Sequence, residues 1–120
     1  MPVATRERIA LTVAQGNGCS YCLSAHSYVA EHVNHFDADE IAAARKADAD
    51  DPKTAAILSL AASVNDNRGD VSTDVFDSAR RAGMTDEEIA ETIGQVALNV
   101  LTNYFNKAVD TDVDFPVVTP

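Results

Sequence analysis

The sequence predicts an all-α domain of about six helices, of which the last is the longest. Apolar residues recur at three- and four-residue spacing along most of the 120 positions, which is the periodicity of helices with one buried face. No segment alternates apolar and polar residues for long enough to predict a β-strand. A hydrophobic content of 46% suits one compact core. We therefore expect a single domain over residues 1–120, with an extended acidic tail from about residue 110.

The first predicted helix covers residues 5–15 and places Ile9, Ala10 and Val13 on its inner face. The Gly-Asn-Gly segment at residues 16–18 ends it, because glycine adopts left-handed conformations at little cost. This segment leads directly into a second helix.

The second predicted helix begins near Cys19. Intervals of four, three, four and three residues place five side chains on one of its faces: Cys22, His26, Val29, Val33 and Phe36. We predict that this face is turned to the core, and that Cys22 therefore lies deeper than Cys19.

Capping signals mark the next two helices. Asp37, with Glu40 three residues later, forms a capping box for a short helix that runs to about residue 46. Asp51 followed by Pro52 opens a fourth helix. It is expected to end near residue 65, before a turn at residues 67–70.

The fifth helix is predicted over residues 73–82 and stops at Gly83. Thr85 and Glu88 form a second capping box, which opens the final helix to about residue 109. That helix carries an apolar stripe over four turns, which we predict to be buried against a substantial partner surface. The stripe consists of Ile89, Ile93, Val96, Ala97, Val100, Leu101, Tyr104 and Phe105.

The excess of acidic residues narrows the classes of function. Lysine and arginine total 9 against 19 aspartates and glutamates, a net charge of −10, which disfavours nucleic acid and anionic membrane as partners. No run approaches the roughly 20 apolar residues of a membrane span, and residues 1–10 carry charges where a signal peptide is apolar. We expect a cytoplasmic protein. Thiols in that compartment are kept reduced, so the two cysteines indicate redox chemistry or metal binding.

Cys19 and Cys22 lie at the start of the second predicted helix, and His26 follows Cys22 by four residues. Unpaired N–H groups at a helix start favour a thiolate. At a pKa near 8.5 about 3% of a thiol is ionised at pH 7, whereas a pKa near 6 gives about 90%. Because His26 lies one turn from Cys22, it is placed to take the proton of that thiol. We therefore assign the attack on a peroxide to Cys22 and the resolving step to Cys19.

Two other interpretations of the cysteines remain. They can be small buried hydrophobic residues. They can also bind zinc together with His26 and either His32 or His35, although ligands along one straight helix converge poorly on a tetrahedral ion. A lone histidine is more often a core residue than a base, but the position of His26 one turn after a helix-start cysteine favours the redox interpretation.

The spacing of Glu7, Cys19, Cys22 and His26 resembles the Glu…Cys-x-x-Cys-x-x-x-His signature of AhpD-like alkylhydroperoxidases, members of the carboxymuconolactone decarboxylase-like superfamily. The resemblance is strongest over residues 7–26 and extends to the long final helix. It implies an AhpD-like helical fold and a relay in which Glu7 and His26 carry the proton from Cys22 while Cys19 completes a disulfide. It also implies trimers or hexamers, and reduction by a dithiol donor, which in the best-known member is a lipoyl-bearing protein.

Glu7 is the least specific of these residues by itself, because an acidic side chain in a first helical turn is usually a solvated partner of the helix dipole. Antiparallel packing of the first two helices across residues 16–18 would return Glu7 to His26. Relatives often carry helices before the glutamate. Here six residues precede it, which predicts that a neighbouring subunit covers the site.

Tyr21 departs from the resemblance, because the best-known member has a histidine between its cysteines. A phenol is a poor base at neutral pH, so we assign Tyr21 a weaker role, either as a hydrogen-bond donor to the substrate or as an aromatic residue at a subunit contact. Tyr28, His32 and His35 continue its stripe along the helix. For this stripe we favour a seam between subunits over a substrate channel.

The predicted function is a thiol-dependent peroxidase that reduces organic hydroperoxides or hydrogen peroxide. We expect no metal, and no cofactor beyond the redox-active disulfide Cys19–Cys22. The predicted partners are the hydroperoxide, a dithiol donor such as a lipoyl-bearing protein, and further copies of the chain. Two alternatives stay open: a thiol–disulfide oxidoreductase, and a non-redox ligand-binding relative of the lactone decarboxylases. Such relatives generally lack the Cys-x-x-Cys pair, which counts against the second alternative.

Overall fold

The chain folds into six α-helices without a β-strand in the computed structural model, which describes residues 1–120. The predicted all-α fold of about six helices is confirmed. The predicted bounds agree with the observed ones to within about two residues, except at the end of the second helix. In chain order the helices are α1 (Val3–Gly16), α2 (Ser20–His32), α3 (Ala38–Arg45), α4 (Pro52–Asp66), α5 (Thr73–Arg81) and α6 (Asp86–Ala108).

Side-chain caps determine where two of these helices begin. At the start of α3, Asp37 accepts the backbone N–H of Glu40 at 2.8 Å, and the Glu40 carboxylate accepts the N–H of Asp37 at 3.0 Å. Thr85 and Glu88 make the same reciprocal pair at the start of α6. Both predicted capping boxes are confirmed, and each satisfies two N–H groups that the helix itself leaves unpaired.

Two carboxylates near helix starts also titrate at lower pH than usual. The hydroxyl and the backbone N–H of Thr54 donate to Asp51, which lowers the pKa of Asp51. The pKa of Glu88 is lowered chiefly by the hydrogen bond from Lys53 Nζ at 2.8 Å and also by the backbone N–H of Thr85. Because Lys53 belongs to α4 and Glu88 to α6, this ion pair connects the two helices.

Helix α1 occupies the centre of the fold and packs against α2, α3, α4 and α6. The predicted inner residues Ile9, Ala10 and Val13 are at most 3% exposed, and Leu11 is buried with them. A helix surrounded in this way is held rigidly, because tight packing leaves little room for rearrangement. This central helix is the one that carries Glu7.

Helix α2 ends before the last residues of the face that we predicted to be turned to the core. The helix stops at His32, and Val33 is 64% exposed. His35 then adopts a φ of 58°, so that Phe36 reaches the core from a loop. The prediction is therefore wrong for the C-terminal half of this face, because the helix stops before it can continue the stripe. The buried residues of α2 are Cys22, Leu23, Ser24 and Ala30.

Helix α6 exposes much of its apolar stripe. Its buried face is partly polar and consists of Ile89, Thr92, Val96, Asn99 and Asn103. The exposed large apolar residues of α6, each between 39% and 66% exposed, are Ile93, Leu98, Leu101, Tyr104 and Phe105. The predicted burial of the whole stripe is thus wrong within a single chain. Although α6 has 23 residues, neither it nor any other helix is long and apolar enough to cross a membrane.

The chain after α6 runs back along α2 without forming a helix. The backbone N–H of Val118 donates to the hydroxyl of Ser24 at 2.8 Å. Further along, the guanidinium of Arg45 donates to the carbonyl of Thr119 at 2.9 Å. The first contact attaches the tail to α2, and the second attaches it to the end of α3.

Candidate active site

A disulfide joins Cys19 and Cys22 at the start of α2, with their Cα atoms 5.3 Å apart. Cys19 is the N-cap of the helix, and its sulfur accepts the backbone N–H of Cys22 at 3.2 Å. Gly18 leads into this cap with a φ of 63°, a conformation that favours glycine. The positive end of α2 therefore acts directly on the sulfur of Cys19.

Burial does not distinguish the two cysteines. Cys19 is 1% exposed and Cys22 is 3% exposed. The prediction that Cys22 lies deeper is wrong, because Cys19 is enclosed by the turn from α1 and not left at a free helix end. Any difference in their chemistry must come from the groups that surround each sulfur.

His26 lies one turn after Cys22 and is paired with Glu7 from α1. The Nδ1 atom of His26 is 2.7 Å from Oε1 of Glu7, and the two side chains are 31% and 11% exposed. The predicted return of Glu7 to His26 is thus present in the structure. A carboxylate on Nδ1 orients the imidazole and leaves Nε2 for proton transfer. The arrangement suits a general base, and the catalytic roles of both residues stay predictions.

Asn106 on α6 contacts the disulfide, which the sequence did not predict. Its Nδ2 atom lies 3.6 Å from Sγ of Cys22 and 2.9 Å from the carbonyl oxygen of Thr102. Its Oδ1 atom accepts the hydroxyl of Thr111 at 2.8 Å. The contact between Asn106 and Cys22 spans 84 positions of the chain, and no local spacing signals it.

A cavity of about 280 Å³ lies beside Cys19. Its wall comes from the start of α2, the end of α6 and the first residues of the tail. Lys107 supplies the one cationic side chain among the lining residues, and its Nζ donates to the carbonyl of Asn17 at 2.6 Å. The cavity reaches Cys19 but not Cys22. Its lining consists of Gly18, Cys19, Ser20, Tyr21, Asn106, Lys107, Asp110, Thr111 and Val113.

The aromatic residues of α2 contact the tail. The ring of Phe115 lies 6.0 Å from that of Tyr21 and 5.7 Å from that of Tyr28. Tyr28 also stacks on His32 at 4.0 Å, whereas His35 lies beyond the end of the helix. Part of the surface that we assigned to a seam between subunits is thus occupied by the chain's own tail.

A second cavity, about 430 Å³, lies away from the cysteines. Arg8 and five carboxylates line it, and none of the predicted site residues does. Arg8 forms an ion pair with Glu40 at 2.8 Å in this region. The structure contains no group of three or more histidine, cysteine or acidic side chains arranged to hold a metal ion. The proposed zinc ligands Cys19 and Cys22 are joined to each other instead.

Comparison with known proteins identifies one sequence family. Residues 1–64, more than half of the chain, match the carboxymuconolactone decarboxylase family. This segment contains all four predicted catalytic residues: Glu7, Cys19, Cys22 and His26. No curated protein sequence matches the chain.

Solved structures with a similar fold include the debrominase Bmp8, both without ligand and as a cysteine-to-alanine variant in complex with 2,3,4-tribromopyrrole. Each superposes with a TM-score of 0.77 over 95% of this chain, at 24% sequence identity. The chain spans 62% of the length of those proteins. This likeness establishes a shared helical fold.

Proposed function

The chain belongs to the carboxymuconolactone decarboxylase family, and we propose that within this family it is a thiol-dependent peroxidase. The observation that carries the proposal is the Cys19–Cys22 disulfide one helical turn from the His26–Glu7 hydrogen bond. A reversible cysteine pair stores two electrons, and a carboxylate-oriented histidine moves a proton. Reduction of a hydroperoxide needs both.

The proposed reaction begins when His26 takes the proton of Cys22. The thiolate attacks the terminal oxygen of the hydroperoxide, the O–O bond breaks, and Cys22 becomes a sulfenic acid. The departing alkoxide takes the proton from His26 and leaves as an alcohol. Cys19 then attacks the sulfur of Cys22, a disulfide forms and water leaves. The peroxide gains two electrons and the cysteine pair loses two.

Re-reduction by a dithiol donor is proposed to begin at Cys19. The cavity of about 280 Å³ borders Cys19 and not Cys22, which favours attack by the donor on the sulfur of Cys19. Tyr21 lines the same cavity, and we assign it a contact with the substrate or the donor. A reduced lipoyl group carries two thiols, and it supplies the two electrons of this exchange by closing to its own disulfide.

The decisive experiment follows one turnover by mass spectrometry. The reduced protein is mixed with cumene hydroperoxide under anaerobic conditions and digested without reduction. We expect the loss of two hydrogen atoms and a peptide in which Cys19 is joined to Cys22. A Cys22→Ser variant should not react, whereas Cys19→Ser should consume one equivalent of peroxide and stop at the sulfenic acid. Full turnover by Cys22→Ser would exclude the proposed mechanism.

Thiol–disulfide exchange with other proteins is the first alternative for the same site. It requires a disulfide substrate in place of a peroxide. Comparing the rate of insulin disulfide reduction with the rate of cumene hydroperoxide consumption separates the two reactions. The small cavity and the low exposure of both cysteines favour a small substrate over a protein disulfide.

Reductive debromination is a second candidate, because the similar solved structures are those of a debrominase. The same pair of thiols balances that reaction: the C–Br bond is replaced by C–H, bromide leaves, and the two thiols become a disulfide. Incubation of the reduced protein with 2,3,4-tribromopyrrole tests it. Release of one bromide for each disulfide formed, without reaction towards peroxide, would favour debromination.

A non-redox role as a ligand-binding relative of the lactone decarboxylases is the third alternative. The Cys19–Cys22 disulfide counts against it, because a non-redox role makes no use of a buried cysteine pair that can form a disulfide. An absorbance of the reduced protein near 240 nm that titrates well below pH 8 would indicate a reactive thiolate. Ordinary thiol titration above pH 8 would favour the non-redox role.

A further inference from the structure

We propose that Asn106 is a further catalytic residue, whose side-chain amide donates a hydrogen bond to the sulfur of Cys22 and stabilises negative charge there. The proposal rests on the proposed function in one respect, since it takes Cys22 as the reacting sulfur. It adds a contact from α6, at the far end of the chain, to a site otherwise built from α1 and α2.

The orientation of the amide is determined at both of its ends. The carbonyl oxygen of Thr102 can only accept, so the nitrogen of Asn106 must face it, at 2.9 Å. This bond uses one of the two hydrogens on Nδ2 and leaves the other for Sγ of Cys22, at 3.6 Å. The hydroxyl of Thr111 donates to Oδ1 at 2.8 Å. Asn106 therefore presents a fixed donor to the sulfur.

The donor acts more strongly on a thiolate than on a disulfide, because a hydrogen bond to an ionised acceptor is roughly twice as strong as one between neutral groups. It therefore stabilises Cys22 when His26 has taken its proton. It also acts in re-reduction: when a donor thiolate attacks Cys19, a new S–S bond forms there and the electron pair of the old bond goes to Cys22. A thiolate that is stabilised in this way leaves faster.

Four titratable side chains lie near Asn106 and the cysteines: Glu7 on α1, His26 on α2, Lys107 on α6 and Asp110 just after α6. Glu7 is occupied by His26, and Lys107 donates to the carbonyl of Asn17. Asn106 differs from all four because it stays neutral and remains a donor at every pH. Replacing Asn106 with leucine therefore removes the hydrogen bond to Cys22 without removing a charge.

Thr111 is a positioning residue in this arrangement. It lies on the first part of the tail, lines the cavity beside Cys19 and contacts the sulfur only through Asn106. Replacing it with valine keeps its shape and removes the hydrogen bond to Oδ1. The amide of Asn106 then keeps one restraint, the carbonyl of Thr102.

The test uses a Cys19→Ser background, in which Cys22 is the sole thiol and serine still caps α2. The thiolate absorbance of Cys22 is measured as a function of pH in three proteins of this background: the one that keeps Asn106, Asn106→Leu and Asn106→Asp. Loss of one hydrogen bond to a charged acceptor is expected to lower the equilibrium between thiolate and thiol about tenfold. The pKa of Cys22 should therefore rise by about 1 in Asn106→Leu, and further in Asn106→Asp, where a carboxylate faces the sulfur.

A matched control is Gln95→Glu, the same change from amide to carboxylate on the same helix. Residue 95 lies eleven positions before Asn106, about 16 Å along the axis, which is beyond a Debye length of about 8 Å. Its substitution should leave the titration of Cys22 unchanged. An equal rise in Gln95→Glu and Asn106→Asp would mean that the effect is a general one of added charge.

A kinetic measurement separates this role from a merely structural one. Below the pKa of Cys22, the reaction of Asn106→Leu with cumene hydroperoxide should be about threefold slower, since the thiolate fraction falls about tenfold while the more basic thiolate is about threefold more nucleophilic. Above the pKa values of both proteins, Asn106→Leu should react at least as fast as the protein with Asn106. A loss of rate that is equal at both pH values would overturn the proposal.

The titration does not depend on the substrate. If the substitution shifts the pKa of Cys22 but the protein does not react with peroxide, the proposed peroxidase function is excluded and the role of Asn106 is kept. If the protein reacts with peroxide but the pKa of Cys22 does not shift, the role of Asn106 is excluded and the peroxidase function is kept. If Asn106→Leu does not fold, the Thr111→Val variant tests the proposal. We expect its pKa of Cys22 to rise by an amount equivalent to about a threefold loss of thiolate. An unchanged pKa would contradict the proposal.

Discussion

Among individual side-chain contacts, the hydrogen bond between Glu7 and His26 is the strongest support for a catalytic site in this chain. Glu7 is 9% exposed on the central helix α1, and burying a carboxylate is costly unless a partner compensates. That partner is the Nδ1 atom of His26 at 2.7 Å. Since Nδ1 makes this hydrogen bond, Nε2 remains available for proton transfer.

Replacing Glu7 with glutamine should slow the reaction with peroxide. The amide keeps a contact to His26 but removes the charge that stabilises the protonated imidazole, so we expect a loss of about tenfold to a hundredfold in rate. The measurement is the rate of cumene hydroperoxide consumption, together with a melting temperature to monitor folding. Glu40→Gln is the control, because Glu40 pairs with Arg8 away from the cysteines. Equal rates for the two variants would argue against the relay.

The contact between the tail and helix α2 supports the part of the fold that carries the cysteines. Ser24 is 1% exposed, and its hydroxyl accepts the N–H of Val118 from the tail. Phe115 contacts both Tyr21 and Tyr28 on the same helix. The tail thus supports the helix that carries Cys22 and His26, and its first residues form part of the cavity wall beside Cys19.

Phe115→Ala should release this part of the tail. Two aromatic contacts at about 0.5–1.5 kcal/mol each predict a loss of roughly 1–3 kcal/mol in the free energy of unfolding. Denaturant titration measures this loss, and limited proteolysis should cut the tail of the variant faster. Val117→Ala provides the comparison, because Val117 is 68% exposed. Identical proteolysis of the two variants would show that Phe115 does not hold the tail.

The ion pair between Lys53 and Glu88 makes the packing of α4 on α6 sensitive to acid. The folded-state pKa of Glu88 lies below the ordinary value of 4.5, so its stabilising effect is present above that pH and is lost as the pH falls through the folded value. The melting temperature should therefore decline from about pH 6 to about pH 3, and less steeply in Glu88→Gln. Glu87→Gln should follow the unmodified protein. Parallel curves for all three proteins would contradict this account.

Helix α6 exposes a large apolar face on the surface of the molecule. Leu101, Tyr104 and Phe105 are between 58% and 66% exposed, although the chain carries a net charge of −10. Exposed apolar residues that form a contiguous patch commonly mark an interface between proteins. We propose that further copies of this chain cover the face, and that the chain assembles into trimers or hexamers.

Leu101→Glu should convert the assembly into monomers. A charge at the interface must be buried without a partner, whereas in the monomer this position is 66% exposed and tolerates it. Light scattering coupled to size-exclusion chromatography measures the mass, and circular dichroism reports helix content, which should not change. Val117→Glu adds the same charge to the exposed tail and should leave the mass unaltered. A monomeric unmodified protein would refute the proposed assembly.

Features that depend on neighbouring positions could be predicted from the sequence alone. The helix starts at Asp37 and Thr85 could be predicted, because a capping box involves only four consecutive residues. The spacing of Cys22 and His26 follows in the same way from the pitch of one helix. Even the approach of Glu7 to His26 was predictable, since a short connection makes the first two helices antiparallel neighbours.

Which surfaces meet depends on how the whole chain packs. An apolar stripe has the same periodicity whether it faces a core or another subunit, so the exposure of Leu101 could not be read from its spacing. The equal burial of Cys19 and Cys22 depends on the turn from α1, and the amide of Asn106 reaches Cys22 across 84 positions. Such contacts arise from the packing of whole helices, which the spacing of residues within one helix does not specify.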